Sequence, residues 1–410
     1  MPSSSPGNGQ PEAVVRLKHG REKHLRQGHP WVFSGAIAAW EGAPAVGAVT
    51  DVLAANGQWL ARGLAHPAAA LAVRLYTRQA SQALDEPFWA AALGRALARR
   101  RQIPGYGADA AAVTNAWRLV FAEADGLSGL IVDRFADTLA VQVGAAALLR
   151  CLPGLLDELR RLTGAAAVHV AAAGDDAARE GLDAAVLAAL ARPPAGPVRI
   201  REHGRLFDVE PGSGQKTGFF LDQRENRQRV AAYARGRRML SAYCYTGAFE
   251  VHAAAAGATE LFGLDRSEPA LAQARAHLQL NGLATPATYE RADVPPALRR
   301  FRDAGRTFDL IVLDPPKFVA NRAQLDKGLR AYKDINLLAL KLLAPGGILA
   351  SFSCSGLVTP LLFRQMLGWA AADAQRPVQI LETLGQPPDH PVLAVFPESE
   401  YLKGAICRAD

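Results

Sequence analysis

Between Val14 and about Arg78, apolar residues come in short runs broken by glycine, as in VGAVTDVLA, GQWLARGLA and LAVRLYT. Runs of this length and make-up predict the strands of a small all-β barrel. From Pro87 to Arg101 the period lengthens: Phe88, Ala91, Ala92 and Leu93 precede a basic end of Arg99, Arg100 and Arg101. This predicts a helix whose last-turn cations complement its dipole. The stretch RLVFAEADGLSGLIVDRFADTLAVQV predicts a strand, a turn at Asp125-Gly126, a strand, a turn at Asp133 and a third strand. A helix follows, then an Ala-rich helix near Asp183 to Ala191, and Pro193, Pro194, Gly196 and Pro197 mark a linker.

Beyond the linker the pattern alternates regularly. RRMLSAYCYTGAFEVHAAAAGA predicts a strand, a turn at Thr246-Gly247 and a helix; ELFGLDRSEPALAQARAHLQLNGL predicts a strand ending at Asp265 and a helix closed by Gly282. FDLIVLDPPKF predicts a buried strand ending at Asp314, and LLAPGGILASFSCSGLV a Pro-Gly-Gly turn and a strand ending at Cys354. Apolar strands alternating with helices imply a parallel, doubly wound α/β sheet, with ligands at the strands' carboxyl ends. The expected division is a disordered tail over 1–12, a β module over 13–80, an α+β module over 85–192 and an α/β module over 198–410.

Composition narrows the class. A chain of 410 residues is too long for one domain of ordinary size. Forty-six Lys and Arg against 39 Asp and Glu give a net charge of +7. That favours a polyanionic partner, although an Arg- and Ala-rich composition discounts the inference. Cys151, Cys244, Cys354 and Cys407 show no paired spacing, so neither a disulfide framework nor a metal site is expected, and a reducing cytoplasm fits. The polar start MPSSSPGNGQPEA and the lack of any apolar run of ~18 residues give no signal for export or for a membrane partner.

Candidate chemistry falls at the predicted strand ends. At Tyr245-Thr246-Gly247 a turn without a side chain at Gly247 lets backbone approach a ligand beside a helix N-terminus. Asp265 follows about 20 residues later, the spacing at which a carboxylate reaches ribose hydroxyls; it would equally suit a helix N-cap. Asp293 could accept a hydrogen bond from an adenine amino group, or simply form a turn before Pro295 and Pro296. Asp314-Pro315-Pro316-Lys317-Phe318 ends an apolar strand with a carboxylate and two stiff prolines. The ordered series resembles the class I S-adenosylmethionine methyltransferases. Upstream, Phe219, Phe220, Asp222, Gln223 and Arg224 form a segment that methyltransferases of this kind use to cover the cofactor, or that packs a hairpin onto the sheet. Lys216 belongs to the same segment. In the N-terminal stretch, Arg16, Lys18, Arg21, Lys23 and Arg26 precede Trp31 and Phe33, an interleaving that suits phosphate contact and base stacking, or else a solvated basic turn ahead of a buried Trp.

Cys354, in Ser353-Cys354-Ser355-Gly356, is the sharpest single residue. A pyrimidine C5 is too weak a nucleophile to take a methyl group directly. A thiolate attacking C6 moves electron density to C5, and the C5 proton and the thiol leave afterwards. A buried structural cysteine is the ordinary alternative.

With these residues in hand, the chain resembles the bacterial 23S ribosomal RNA cytosine-C5 methyltransferases that carry an N-terminal PUA domain. The resemblance rests on His29-Pro30-Trp31-Val32-Phe33-Ser34-Gly35, Glu123-Ala124-Asp125-Gly126-Leu127-Ser128-Gly129-Leu130 and Phe219-Phe220-Leu221-Asp222-Gln223-Arg224. Cys244-Tyr245-Thr246-Gly247, Asp314-Pro315-Pro316-Lys317-Phe318 and Ser353-Cys354-Ser355 complete it. It implies a Rossmann-like class I methyltransferase domain preceded by a small β-barrel (PUA) domain and a central α+β domain. S-adenosylmethionine would be the cofactor, with Phe220, Asp222, Tyr245, Thr246, Gly247, Asp265, Asp293 and Asp314 near it. Cys354 would be the nucleophile, assisted by Asp314, and Arg16, Lys18, Arg21, Lys23, Arg224 and Lys317 would contact RNA. The expected partner is ribosomal RNA, 23S and naked or partly assembled; a homodimer is left open. One departure stands out: where other RNA cytosine-C5 methyltransferases commonly carry a second cysteine, this chain has Pro316-Lys317, so the base that removes the C5 proton is not assigned. Methylation of a guanine nitrogen or of uridine C5, and an inactive RNA-binding assembly factor, are the competing readings.

Overall fold

The computed structural model describes residues 9–106, 113–173, 177–212 and 217–410. Most of the expected tail, residues 1–8, and Lys216 lie outside the described residues. The chain folds as two compact units that are not simple successive stretches. Residues 1–201, 208–221 and 388–399 make the first, and 202–207, 222–387 and 400–410 the second.

In the first unit, strands β1 (Ala13–Leu17), β2 (Trp31–Phe33), β3 (Ile37–Glu41), β4 (Val49–Leu53), β5 (Trp59–Ala65) and β6 (Leu71–Thr77) form a sheet in the order β2-β6-β5-β4-β1-β3. β1 and β4 run parallel and the other pairs antiparallel. Alternate residues Val15, Leu17, Val52, Val73 and Leu75 bury one face, as period-two strands require. The helix Glu86–Arg101 starts where Asp85 accepts a hydrogen bond from the Phe88 N–H. It packs on a second sheet, ordered β10-β9-β8-β7, made of β7 (Ala116–Phe121), β8 (Leu130–Phe135), β9 (Thr138–Val143) and β10 (Ala167–Ala172).

Two expectations fail here. The turn expected at Asp133 falls at Ala136-Asp137, where Ala136 takes φ 54°. Asp133 sits inside β8, wholly buried, because Arg118 grips both its oxygens at 2.8 Å and the Thr217 hydroxyl donates to it. The strand β10 was not expected either, and it is held by its parallel pairing with β9. The proline-rich linker is anchored at its start, since Arg192 and Val168 exchange backbone hydrogen bonds.

The chain then runs through β11 (Val198–Glu202) and β12 (Arg205–Val209). The second unit is built on seven strands: β13 (Arg238–Ala242), β14 (Glu260–Asp265), β15 (Ala287–Arg291), β16 (Phe308–Leu313), β17 (Leu343–Ser353), β18 (Val378–Gly385) and β19 (Lys403–Ala409). Their order is β15-β14-β13-β16-β17-β19-β18, all parallel except β19, which is antiparallel to both neighbours. Leu240, Leu264, Ile311, Leu313 and Leu349 bury the sheet under helices that include Leu325–Leu342 and Pro360–Ala374. The expected Pro345-Gly346-Gly347 turn lies within β17, whose pairing with β16 shifts register there. The strand order reverses between β13 and β16, and at such a switch point the carboxyl ends diverge to leave a ligand crevice.

Candidate active site

The crevice is built first from the turn after β13. Tyr243, Tyr245 and Gly247 all take left-handed backbone, at φ 64°, 50° and 74°. At Gly247 a side chain is excluded twice over, because an added Cβ would lie 2.7 Å from the Ala274 Cβ. The helix Ala248–Ala255 begins directly on this glycine, directing its free N–H groups toward the turn. Asp265, at the end of β14, ties the turn in place: one oxygen accepts from the Tyr245 N–H and the other from the Ser267 N–H, both at 2.9 Å. Ser267, not Asp265, caps the following helix. Thr246 is buried, its carbonyl 2.8 Å from the His277 ring. Asp293, after neighbouring β15, is exposed and paired with Arg266 at 2.8 Å; its side chain caps nothing.

Across the switch point, Asp314 follows β16 and accepts from the Gln223 side-chain amide at 3.0 Å. Gln223 in turn accepts from Asn226, and neighbouring Asp222, also buried, accepts from the Tyr401 hydroxyl at 2.6 Å. Cys354 lies just beyond β17, half-buried, with Sγ 3.9 Å from the Pro315 carbonyl oxygen. Ser355 locks this arrangement: its hydroxyl bonds the Val319 N–H at 3.2 Å and the Tyr332 hydroxyl at 2.9 Å, clamping the cysteine turn to the Asp-Pro-Pro loop.

The structure thus brings Tyr245, Thr246, Gly247, Asp265, Asp314 and Cys354 to one end of one sheet. Lys317 is exposed in the Asp-Pro-Pro loop. Arg224 is fully buried and paired with Glu225 at 3.1 Å. Phe220 is half-buried in the first unit. There too lie Arg16, paired with Glu41, Lys18, bonded to the Gly35 carbonyl, and the exposed Arg21 and Lys23. Two residues that the sequence did not bring forward, Tyr401 and Lys403, reach the site because β19 pairs antiparallel with β17 and sets Lys403 opposite Ser353.

Desolvation acts on three of the thiols. Burial pushes the Cys151 and Cys407 thiols up to about 12 and raises Cys244 well above its usual value. Glu250, wholly buried one turn past Gly247, is pushed up to about 8 by burial, with Asp265 adding to the rise. Lys403 is lowered by burial to about 8. Among the described residues no cluster of His, Cys, Asp and Glu could hold a metal, and no helix is long and apolar enough to cross a membrane.

The strand order, the glycine turn after β13 and the carboxylate after β14 define a Rossmann-like methyltransferase fold with a nucleotide crevice. Known proteins agree with it. The family profile of S-adenosylmethionine-dependent methyltransferases matches residues 136–402 and that of a PUA-like domain residues 15–78. A relative from Shewanella amazonensis, named ribosomal RNA large subunit methyltransferase I, is 41% identical over 401 residues, covering 96% of this chain and 98% of the relative. A protein of the same name from Erwinia tasmaniensis is 41% identical over 399 residues with the same coverage. The crystal structure of SMU.776, described as a candidate methyltransferase complexed with SAH, superposes with TM-score 0.81 at 19% identity, covering 96% of this chain and 99% of its own. The chain belongs to the S-adenosylmethionine-dependent methyltransferase family, and S-adenosylmethionine is its cofactor.

Proposed function

We propose that the chain methylates C5 of a cytosine in the large-subunit, 23S ribosomal RNA, through a covalent adduct of Cys354 at C6. The observation that carries this reading is the half-buried Cys354 sulfur held beside the Asp314-Pro315 loop. The other three thiols are pushed up by desolvation, which disfavours the thiolate a nucleophile needs. The name of the relatives supports ribosomal RNA as the substrate.

The residues present suit the cofactor. A Cβ-free Gly247 turn pinned by Asp265 leaves room for close backbone approach, and a helix N-terminus faces it. In this reading Tyr245, Thr246 and Gly247 border the cofactor, Asp265 holds its ribose and Asp293 its adenine, with Asp222 contributing to the cover. Bound there, the sulfonium supplies an electrophilic methyl group. The protein's part is to present the Cys354 thiolate to C6. The C6–S bond forms, density moves to C5, and after C5 has gained the methyl its proton leaves and the C6–S bond breaks with the electron pair returning to sulfur. Asp314, oriented by Gln223, hydrogen-bonds the exocyclic amine or a protonated ring nitrogen and so assists attack.

We assign 13–80 to an RNA-gripping module, 85–192 to a central module and 198–410 to the catalytic one, with Arg16, Lys18, Arg21, Lys23 and Lys317 as phosphate contacts. A target base inside structured RNA must be unstacked, so free or partly assembled RNA is the expected substrate.

The test is mass spectrometry of nucleosides after incubating labelled S-adenosylmethionine with unmodified free RNA and, in parallel, with intact subunits. Wild type should yield 5-methylcytidine on free RNA and Cys354→Ala none. A methylated guanine made by both proteins would end the thiol mechanism, 5-methyluridine would change the base, and efficient reaction on subunits alone would overturn the substrate form.

A further inference from the structure

Lys403 opens β19 with its side chain almost entirely enclosed, 4% exposed. Its ammonium donates to the Ser355 carbonyl at 2.7 Å and to the Tyr401 carbonyl at 2.8 Å. An ammonium has three N–H donors. Two are used on these carbonyls, and among the described residues no carboxylate pairs with it. Carbonyl dipoles satisfy donors but do not cancel a full charge, and a buried charge without a counter-charge is costly. A lysine kept in such a place for packing alone would be better replaced by methionine or leucine.

The missing counter-charge is one residue away. The carbonyl that Lys403 grips belongs to Ser355, next to Cys354, and Lys403 stands opposite Ser353, the residue on the cysteine's other side. The Ser355 clamp to Val319 and Tyr332 fixes this turn against the Asp-Pro-Pro loop, so the carbonyl that holds the ammonium and the neighbouring cysteine belong to one fixed turn. We propose that Lys403 is a positioning residue whose buried ammonium is the counter-charge of the Cys354 thiolate, a proposal that rests on Cys354 being the nucleophile. The thiol proton goes to bulk water and Lys403 stays protonated. When sulfur bonds C6 it becomes a neutral thioether, and the ammonium is again unbalanced. The same pairing therefore favours release, when the C6–S electron pair returns to sulfur.

The electrostatics around Lys403 agree with this geometry. Burial lowers its pKa, while the Cys354 sulfur and Glu400 pull it up and Lys317 pushes it down. Ordinary neutral pH leaves the group mostly protonated at a value of about 8.

The experiment is the pH dependence of iodoacetamide alkylation at Cys354, read by peptide mass spectrometry in the full-length protein. It compares wild type, Lys403→Met and Lys403→Arg, each checked for folding by circular dichroism. Lys403→Met should raise the alkylation midpoint by about one pH unit or more and slow alkylation at pH 7 by roughly tenfold. Lys403→Arg should stay near wild type, and the pH–rate profile of methyl transfer should move with the midpoint. Should Lys403→Met not fold, Lys403→Gln carries the same comparison. An unchanged midpoint in a folded neutral variant overturns the proposal. Methyl transfer by Cys354→Ala is a separate readout. If that variant retains transfer, the nucleophile reading falls and the proposal with it, even where the midpoint moves; if it loses transfer while the midpoint stays, only the role of Lys403 falls.

Discussion

Glu250 sits within the first turns of the helix that starts on Gly247, and its side chain is wholly buried. Its folded pKa of about 8 lies above the ordinary 4.5, so the folded state holds a proton that the unfolded chain has given up between those values. The sign follows by linkage: its contribution to stability is fully present below about pH 4.5 and is lost as pH rises through 8. Glu250→Gln, which imitates the neutral acid, should match wild type in acid and be more stable by a few kcal/mol near pH 8, at about 1.36 kcal/mol for each pH unit between the two values. Thermal unfolding of both proteins at pH 5, 6.5 and 8 checks this; parallel curves would mean that the acid is not held neutral. At the same scale, Gly247 and Asp265 were legible because their chemistry is local: a positive φ and a carboxylate at a strand end. The burial of Arg224 was not legible, for the opposite reason. Its sequence neighbours are polar, and only the fold shows that Glu225 and the surrounding core enclose it.

Charge is buried in whole elements of the first unit. Arg100, in the last turn of the helix Glu86–Arg101, holds Asp125 through two bonds, at 2.9 and 2.6 Å, and Arg118 of β7 holds Asp133 of β8. The Asp389 carboxylate accepts from the Arg118 N–H at 2.8 Å, tying 388–399 into the same network. Removing one partner of such a pair strands the other charge. Asp133→Ala should therefore destabilise the protein by about 3–5 kcal/mol, and the double replacement Arg118→Met with Asp133→Leu should recover much of that loss. Denaturant titration decides it, and a single-variant loss below about 1 kcal/mol would show that the pair is not effectively buried. The sequence showed Asp133 only as a polar break between two apolar runs, and polar breaks usually mean turns. Its partner lies fifteen residues away across a strand pair, which periodicity does not reveal.

For the molecule as a whole, 46 basic against 39 acidic side chains leave a positive balance, and the proposed phosphate contacts are N-terminal cations. Arg16 already has Glu41 as a partner, while Arg21 and Lys23 are exposed. Replacing Arg16, Lys18, Arg21 and Lys23 with Gln should weaken RNA binding and lower the slope of log affinity against log salt by about one for each phosphate that is no longer neutralised. Titration at several salt concentrations tests it, and an unchanged slope would remove this segment from the RNA interface.

The sequence by itself determined the alternation of apolar strands and helices, the glycine turn, and the order of carboxylates and cysteine along the second half. Each of these is written in spacing along one stretch of chain. Tertiary structure alone decided which of those groups face one another. Asp265 reaches the Tyr245 N–H, Gln223 reaches Asp314, and Tyr401 and Lys403 arrive from the far end of the chain. The physical reason is that sheet order and register are set by burying apolar faces over the entire unit. The antiparallel β19 is inserted beside β17 by that global packing, and the buried ammonium beside Cys354 follows from its register.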